Sequence, residues 1–232
     1  MFGLFRFDWT ILLVIPGFLI SIWAQIKVSS TFNKYSQIRT KRGMTGYDAA
    51  RKILDSNGLA HVRIELTGGH LSDHYDPRAN VIRLSNGVYN SSSPAAIGVA
   101  AHEAGHAIQY ATQYAPIKLR AGLVSITQFS SVLAIPLFFI GLFMASDGLM
   151  LAGIILYAAI AFFQLVTLPV EFNASGRALK VLSSSGMLDS KELNASRKVL
   201  TAAALTYVAA LLTSLLTLLR LLLLANSRGN RR

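Results

Sequence analysis

The sequence predicts a mainly α-helical membrane protein, with about four transmembrane helices and a small α+β region at the membrane surface. Three observations predict this class. Of the 232 residues, 53% are hydrophobic and only 14% are charged, whereas charged residues make up about a quarter of an ordinary soluble domain. The mean hydropathy is +0.47. Four apolar segments are long enough to cross a bilayer, the first only just.

These four segments, residues 9–26, 123–145, 149–170 and 200–224, set the organisation of the chain. The first segment is followed by basic residues, and no convincing cleavage site comes after it. We therefore interpret it as an uncleaved anchor and not as a secretory signal. Only Ser146-Asp147-Gly148 separates the second from the third, which predicts a tight hairpin. The predicted regions are an anchor (1–26), a polar region (27–122), a transmembrane hairpin (123–170), a loop or helix (171–199) and a C-terminal transmembrane helix with a basic tail (200–232).

Four crossings place both polar regions on one side of the membrane. The net charge is +11, and most basic residues near span ends fall in these regions, which predicts that they are cytoplasmic. Arg6 and the basic tail, with Arg228, Arg231 and Arg232, argue the other way. We expect a multi-pass protein of the bacterial plasma membrane. Basic residues that flank apolar spans, without a nucleic-acid motif, favour the lipid bilayer over nucleic acid as the partner. A second copy of the chain or another membrane protein stays open as a partner.

The first polar region alternates between helix and strand patterns. Residues 44–59 have helical spacing, with Asn57-Gly58 as the helix end. Val62, Ile64 and Leu66 alternate as in a strand, and a turn-rich stretch (68–80) separates them from a second strand at 81–85. A serine cap and a proline then start a long helix.

That helix carries the sequence AAHEAGHAIQY at residues 100–110. His102 and His106 are four positions apart, so their imidazoles project from one face of the helix and can bind one cation together. Glu103 lies next to that face. This is the H-E-x-x-H pattern of zinc metallopeptidases, in which the glutamate is the general base. Because the chain has no cysteine, any metal must be held by His, Asp or Glu.

A catalytic zinc site needs a third protein ligand and leaves a fourth position to water. The third histidine of the longer motif is absent, because Gln109 and Thr112 occupy the last two positions of that motif. Glu65 falls in a predicted strand and Glu192 in a polar stretch. Glu171 stands where the hairpin returns to the surface that carries the histidines, and a boundary carboxylate is costly without a partner. We therefore predict Glu171 as the third ligand.

The order HEAGH, two membrane spans and EFNAS resembles the gluzincin plan of membrane metallopeptidases of the HtpX and CAAX prenyl protease type. The segments DPRANVIRLSNGVY, AAHEAGHAIQY and PVEFNASGRAL make the chain similar, over nearly its full length, to the YugP-like family of membrane neutral zinc metallopeptidases. The resemblance implies a zincin-like catalytic region, with His102, His106 and Glu171 binding Zn²⁺ and Glu103 as the catalytic acid/base. Where the larger family has an aspartate that orients a ligand histidine, this chain has Ser175, a hydroxyl without negative charge. Asn173 is a second candidate for that support.

The expected activity is that of a zinc-dependent metalloendopeptidase acting on membrane or membrane-proximal proteins, with its active site on the cytoplasmic side. A zinc-activated water would attack the peptide bond, with Glu103 as general base. Arg177 is the first candidate for stabilising the oxyanion, and His74 is a weaker one. The strand at 81–85 suggests that substrate adds to a sheet edge, with residues 69–76 at the rim of the cleft.

Two other classes of function stay open. A non-proteolytic zinc-bound scaffold would need no base at position 103. A transporter or channel is disfavoured, because the apolar spans hold few ionisable residues and show no interrupted helix pair.

Overall fold

The computed structural model describes residues 9–69 and 71–229, which form seven α-helices and a three-stranded sheet. Arg6, Arg231 and Arg232, which bear on the predicted orientation, lie outside these residues. So do the side chain of Arg228 and His70, which belongs to the predicted rim of the cleft (69–76). A 3₁₀ turn (Trp9–Leu13) precedes α1 (Val14–Ser36). The remaining elements are α2 (Gly46–Ser56), β1 (Arg63–Thr67), β2 (His74–Asp76), β3 (Val81–Ser85), α3 (Asn86–Tyr89), α4 (Pro94–Ala111), α5 (Ala115–Phe143), α6 (Asp147–Ser184) and α7 (Ser190–Gly229).

Four helical segments of the described chain are long and apolar enough to cross a membrane. They are Trp9–Ser36, Ala115–Phe143, Asp147–Ser184 and Ser190–Ser227, with hydropathies of 2.0 to 2.4. With the small sheet, they confirm the predicted class: a mainly α protein with four candidate membrane spans and a small α+β region.

The long helices α6 and α7 extend beyond the apolar segments from which they were predicted. Helix α6 continues through Pro169, which lies inside it, and carries residues 171–184 without a break. Residues 190–199 already belong to α7. Proline costs one backbone hydrogen bond within a helix but does not always end it. As a result, Glu171 lies on a continuous helix.

The sheet has the strand order β1-β3-β2. β3 pairs in parallel with β1, where Arg63 faces Val81, and antiparallel with β2, where His74 faces Arg83. The turn-rich stretch therefore contains a strand that its composition does not indicate. The suggestion that substrate pairs beside residues 81–85 is wrong, because β3 is the central strand and its hydrogen bonds are used on both sides. The edges of this sheet are β1 and β2.

The chain separates into two compact units, and the larger one comprises residues 25–118 and 168–205. Its core is formed by α2, β3 and α4, including the fully buried side chains of Ile53, Leu54, Ile82, Leu84 and Ile97. The predicted helix ends are confirmed: Asn57 is the C-cap of α2, and Ser93 caps α4 by accepting a hydrogen bond from the Ala96 N–H. Of the 18 residues of α4, 14 are buried, so this helix is enclosed in its unit.

The other unit comprises, among the described residues, 9–24, 119–167 and 206–229. Its helices approach closely at small residues, as membrane helices commonly do. A Cβ placed on Gly153 would lie 2.7 Å from the Phe138 backbone nitrogen and 2.8 Å from the Ala134 carbonyl oxygen. The Ser21 and Thr213 hydroxyls lie 3.1 Å apart, within hydrogen-bonding distance.

Candidate metal centre

Three potential ligand atoms converge within the larger unit. The Nε2 atoms of His102 and His106 lie 3.1 Å apart. The Glu171 Oε2 atom lies 3.3 Å from the first of them and 3.6 Å from the second. Ligands held about 2.1 Å from a tetrahedral zinc ion are separated by about 3.4 Å, so these three atoms have the spacing of a metal site. This His-His-Glu group could hold a metal ion.

The site depends on a close approach of α4 to α6, and Gly105 permits it. A Cβ on this glycine would lie 2.7 Å from the Ala174 carbonyl oxygen and 3.3 Å from its Cα. Gly105 stands between Glu103 and His106, and Ala174 is three residues beyond Glu171. The absence of a side chain at position 105 therefore brings the carboxylate of α6 within reach of the imidazoles of α4.

A buried glutamine fixes the tautomer of His106. Gln109 is 0% exposed, and its Oε1 lies 3.0 Å from the His106 Nδ1. An amide oxygen only accepts, so the Nδ1 carries the proton and the Nε2 presents its lone pair to the other two ligand atoms. The Gln109 amide nitrogen donates to the Val170 carbonyl oxygen at 2.8 Å and to the Asn173 Oδ1 at 3.0 Å. These bonds tie His106 to the turn of α6 that carries Glu171.

His102 has a different partner. Its Nδ1 lies 3.1 Å from the Ser175 hydroxyl, which can accept the imidazole proton. The structure thus places Ser175 beside a candidate ligand histidine. Asn173 touches neither histidine in any described hydrogen bond; its Oδ1 accepts from Gln109 and, at 2.8 Å, from the Arg177 Nε.

Glu103 is only 7% exposed, and within the described part of the chain its carboxylate has no hydrogen-bond or ion-pair partner. Burial of the His106 ring disfavours its charged form, but the Glu171 carboxylate and the Glu103 charge outweigh this and raise the pKa of His106. Negative charge that attracts a proton to this site also attracts a cation. The electrostatics of the centre therefore favour a positively charged occupant.

A second carboxylate, that of Asp73, lies close enough to Glu103 for their charges to interact. Burial raises the pKa of Asp73 and the Glu103 charge adds to this, although hydrogen bonds from the Ser85 N–H and hydroxyl lower it. Sequence reasoning missed both Asp73 and Gln109. Gln109, three residues after His106, faces the same side of α4, which is a signal that could have revealed it. Asp73 gave no such signal, because its position depends on a strand that was not predicted.

The two candidates for oxyanion stabilisation occupy different places. Arg177 is half-buried on α6 and joined through Asn173 to Gln109. His74 is exposed in β2, and its Nδ1 lies 2.8 Å from the Ser72 carbonyl oxygen. The structure brings Arg177 into the hydrogen-bond network of the site. Among the described hydrogen bonds, none brings His74 to the three candidate ligand residues.

Comparison with known proteins adds an independent observation. Residues 10–226 match the model of a protein family described as "Putative neutral zinc metallopeptidase". The chain is also 49% identical over 214 residues to "Putative membrane protease YugP" of Bacillus subtilis (strain 168), which covers 92% of this chain and 95% of that protein. No solved structure matches the chain.

Proposed function

Because the chain belongs to this family of neutral zinc metallopeptidases, we propose that it is a zinc-dependent endopeptidase that cuts membrane or membrane-proximal proteins. The family supports a protease role and a requirement for zinc. The observation that carries the proposal is the convergence of the His102, His106 and Glu171 ligand atoms beside the buried carboxylate of Glu103, which has no hydrogen-bond or ion-pair partner among the described residues. A purely structural metal site has no use for such a carboxylate.

The ligand set supports zinc as the metal. Two imidazoles and one carboxylate form the ligand set of many catalytic zinc sites and leave a position for water. A zinc ion at this site would supply Lewis acidity to the attacking water and to the scissile carbonyl. Gln109 would hold the His106 imidazole in the tautomer that binds metal, and Ser175 would orient His102.

Glu103 is proposed as the general base. Its carboxylate, free of competing hydrogen bonds among the described residues, takes a proton from the attacking water and passes it to the leaving amine. Arg177 is proposed to stabilise the oxyanion, ahead of His74, because it belongs to the hydrogen-bond network that contains the ligands.

Substrate is proposed to bind in an extended conformation along β2. This strand is an edge of the sheet, and the ring of Tyr75 packs against that of Tyr110 on α4, with centroids 5.6 Å apart. An extended peptide paired with β2 would therefore run beside the helix that carries the histidines.

Replacing Glu103 with glutamine tests the assignment. We expect Glu103→Gln to keep zinc bound at wild-type stoichiometry while protein cleavage falls about 10²–10⁴-fold, the usual contribution of a general base. Glu65→Gln is the matched control, since Glu65 pairs with Arg63 on β1 and should cleave normally. Metal content and cleavage of an unfolded protein substrate are measured on the purified full-length chains.

Three outcomes would contradict parts of the proposal. Cleavage by Glu103→Gln at the wild-type rate would rule out Glu103 as the base. Stoichiometric zinc without any cleavage by the wild type would favour the non-proteolytic scaffold. Zinc retained with unchanged affinity by Glu171→Ala would remove Glu171 from the ligand set.

A further inference from the structure

A basic groove lies between the C-terminal half of α1 and the N-terminal part of α7, in the larger unit and apart from the metal centre. Its volume is about 560 Å³. The α1 side is formed by residues 27, 30, 31, 34 and 35, which share one helix face, and the α7 side by residues 197, 198, 201, 202 and 205, which share another.

The charge of the groove is of one sign. None of its ten lining residues is Asp or Glu. Four of them are cationic: Lys27, Lys34, Arg197 and Lys198. The Nζ atoms of Lys34 and Lys198 both lie over the Tyr35 ring, 5.6 and 6.0 Å from its centroid. No ion pair in the described part of the chain neutralises any of the four.

Some other basic residues of the same unit pair with carboxylates. Lys41 pairs with Asp189 at 2.9 Å, and Arg83 pairs with Asp76 at 3.0 Å. Four cations without counter-charges around one cavity repel one another, so the groove attracts an anion.

The groove is also apolar at one end. Ala202 and Leu205 line it there, and α7 continues beyond them into an apolar sequence. On α1 the apolar segment precedes Lys27, so both helices lead from the cations towards residues suited to the hydrocarbon of a bilayer. An occupant that matches both ends has an anionic head and an apolar tail.

We propose that this groove binds the phosphate headgroup of an anionic phospholipid, with its acyl chains leaving the groove past Ala202 and Leu205. An acidic peptide would match the cations but not the apolar end. The inference is independent of protease activity, because none of the lining residues belongs to the metal centre.

Native mass spectrometry of the full-length protein in detergent tests the proposal, with phosphatidylglycerol, phosphatidylcholine and inorganic phosphate as probes. We expect the wild type to bind phosphatidylglycerol about tenfold more tightly than phosphatidylcholine, since each basic residue near an anionic lipid contributes measurably to binding. Lys34→Gln/Arg197→Gln/Lys198→Gln should abolish this preference. The charge-conserving Lys34→Arg/Arg197→Lys/Lys198→Arg should keep it.

A matched control removes the same charge elsewhere. Lys52→Gln/Arg78→Gln/Lys191→Gln changes three exposed cations outside the groove and should retain the preference. Equal losses in both glutamine variants, or equal binding of the two lipids by the wild type, would overturn the proposal. Displacement of phosphatidylglycerol by inorganic phosphate at equal concentration would show an anion site that does not recognise lipid.

A measurement on the wild type is independent of how the variants fold. A photoactivatable phosphatidylglycerol should cross-link within residues 27–35 and 197–205, as mapped by peptide mass spectrometry. Cross-links spread evenly over the apolar helices would contradict a specific site.

Discussion

The two candidate ligand histidines differ in what holds their rings. His106 donates to the fully buried amide of Gln109, whereas His102 lies against the Ser175 hydroxyl. Gln109 also bonds to the Val170 carbonyl and to Asn173 on α6. This one side chain therefore orients the His106 ring and joins the two helices that carry the candidate ligands, a role that resembles that of the carboxylate partners of metal-bound histidines.

Replacing Gln109 with methionine should weaken metal binding. The change keeps the approximate volume but removes the acceptor for the His106 Nδ1 proton, so the zinc affinity should fall about 10–100-fold. Thr112→Val, at the C-cap of the same helix, is the control, because the described hydrogen bonds of the Thr112 hydroxyl go to backbone carbonyls of α4. Competition with a chelating dye measures both affinities. Equal affinities for Gln109→Met and the wild type would mean that the amide does not orient the ligand.

Helices α4 and α6 meet at a glycine, and this contact governs the geometry of the centre. Gly105 faces the Ala174 backbone, so even a methyl group must displace one helix from the other. In contrast, apart from its chain neighbours and the nearby backbone of α6, no atom of the described residues lies within 4 Å of the position that a Cβ on Gly176 would occupy. The two glycines are therefore a matched pair on the same two helices.

Gly105→Ala should destabilise the protein by about 1–3 kcal/mol, the usual cost of overpacking a close contact. It should also weaken zinc binding, since Glu171 moves away from the histidines. Gly176→Ala should be stabilised by about 0.5–1 kcal/mol through its higher helix propensity. Thermal unfolding and zinc titration of both variants in detergent provide the comparison. Wild-type zinc affinity in Gly105→Ala would show that the approach of the helices does not limit the site.

The arrangement of the chain across the membrane can be tested because the sequence contains no cysteine. Any single cysteine introduced becomes the sole reactive thiol. Lys52 is exposed on α2 of the larger unit, and Gly148 is exposed at the start of α6, in the predicted hairpin. The positive-inside rule predicts that the first lies in the cytoplasm and the second outside.

In intact cells, a membrane-impermeant maleimide should label Gly148→Cys and leave Lys52→Cys unmodified. Both should react after the membrane is permeabilised, which controls for accessibility. The reverse pattern would place the metal centre outside the cell and would make the basic tail the better guide to orientation.

Local patterns in the sequence determined the membrane spans of this protein and the pairing of its two candidate ligand histidines on one helix face. The apolar segments predict four spans, because crossing a bilayer needs a minimum run of apolar residues. The four-residue interval between His102 and His106 predicts two ligands on one helix face, since helical geometry is fixed by the backbone alone. The number of membrane crossings predicts Glu171 as the third ligand, because the hairpin returns to the side that carries the histidines. In the structure its carboxylate oxygen lies 3.3 Å from the His102 Nε2.

Other features depended on contacts between distant parts of the chain. β2 is a strand of three residues with a polar residue at each end, and no local sequence pattern predicts that it pairs with β3. That pairing makes β3 the central strand of the sheet. Gln109 and Asp73 acquire their partners only when α6 and β3 pack beside them. Local geometry dictates which side chains share a helix face, whereas the neighbours of that face are set by packing, and packing has no short-range signature in the sequence.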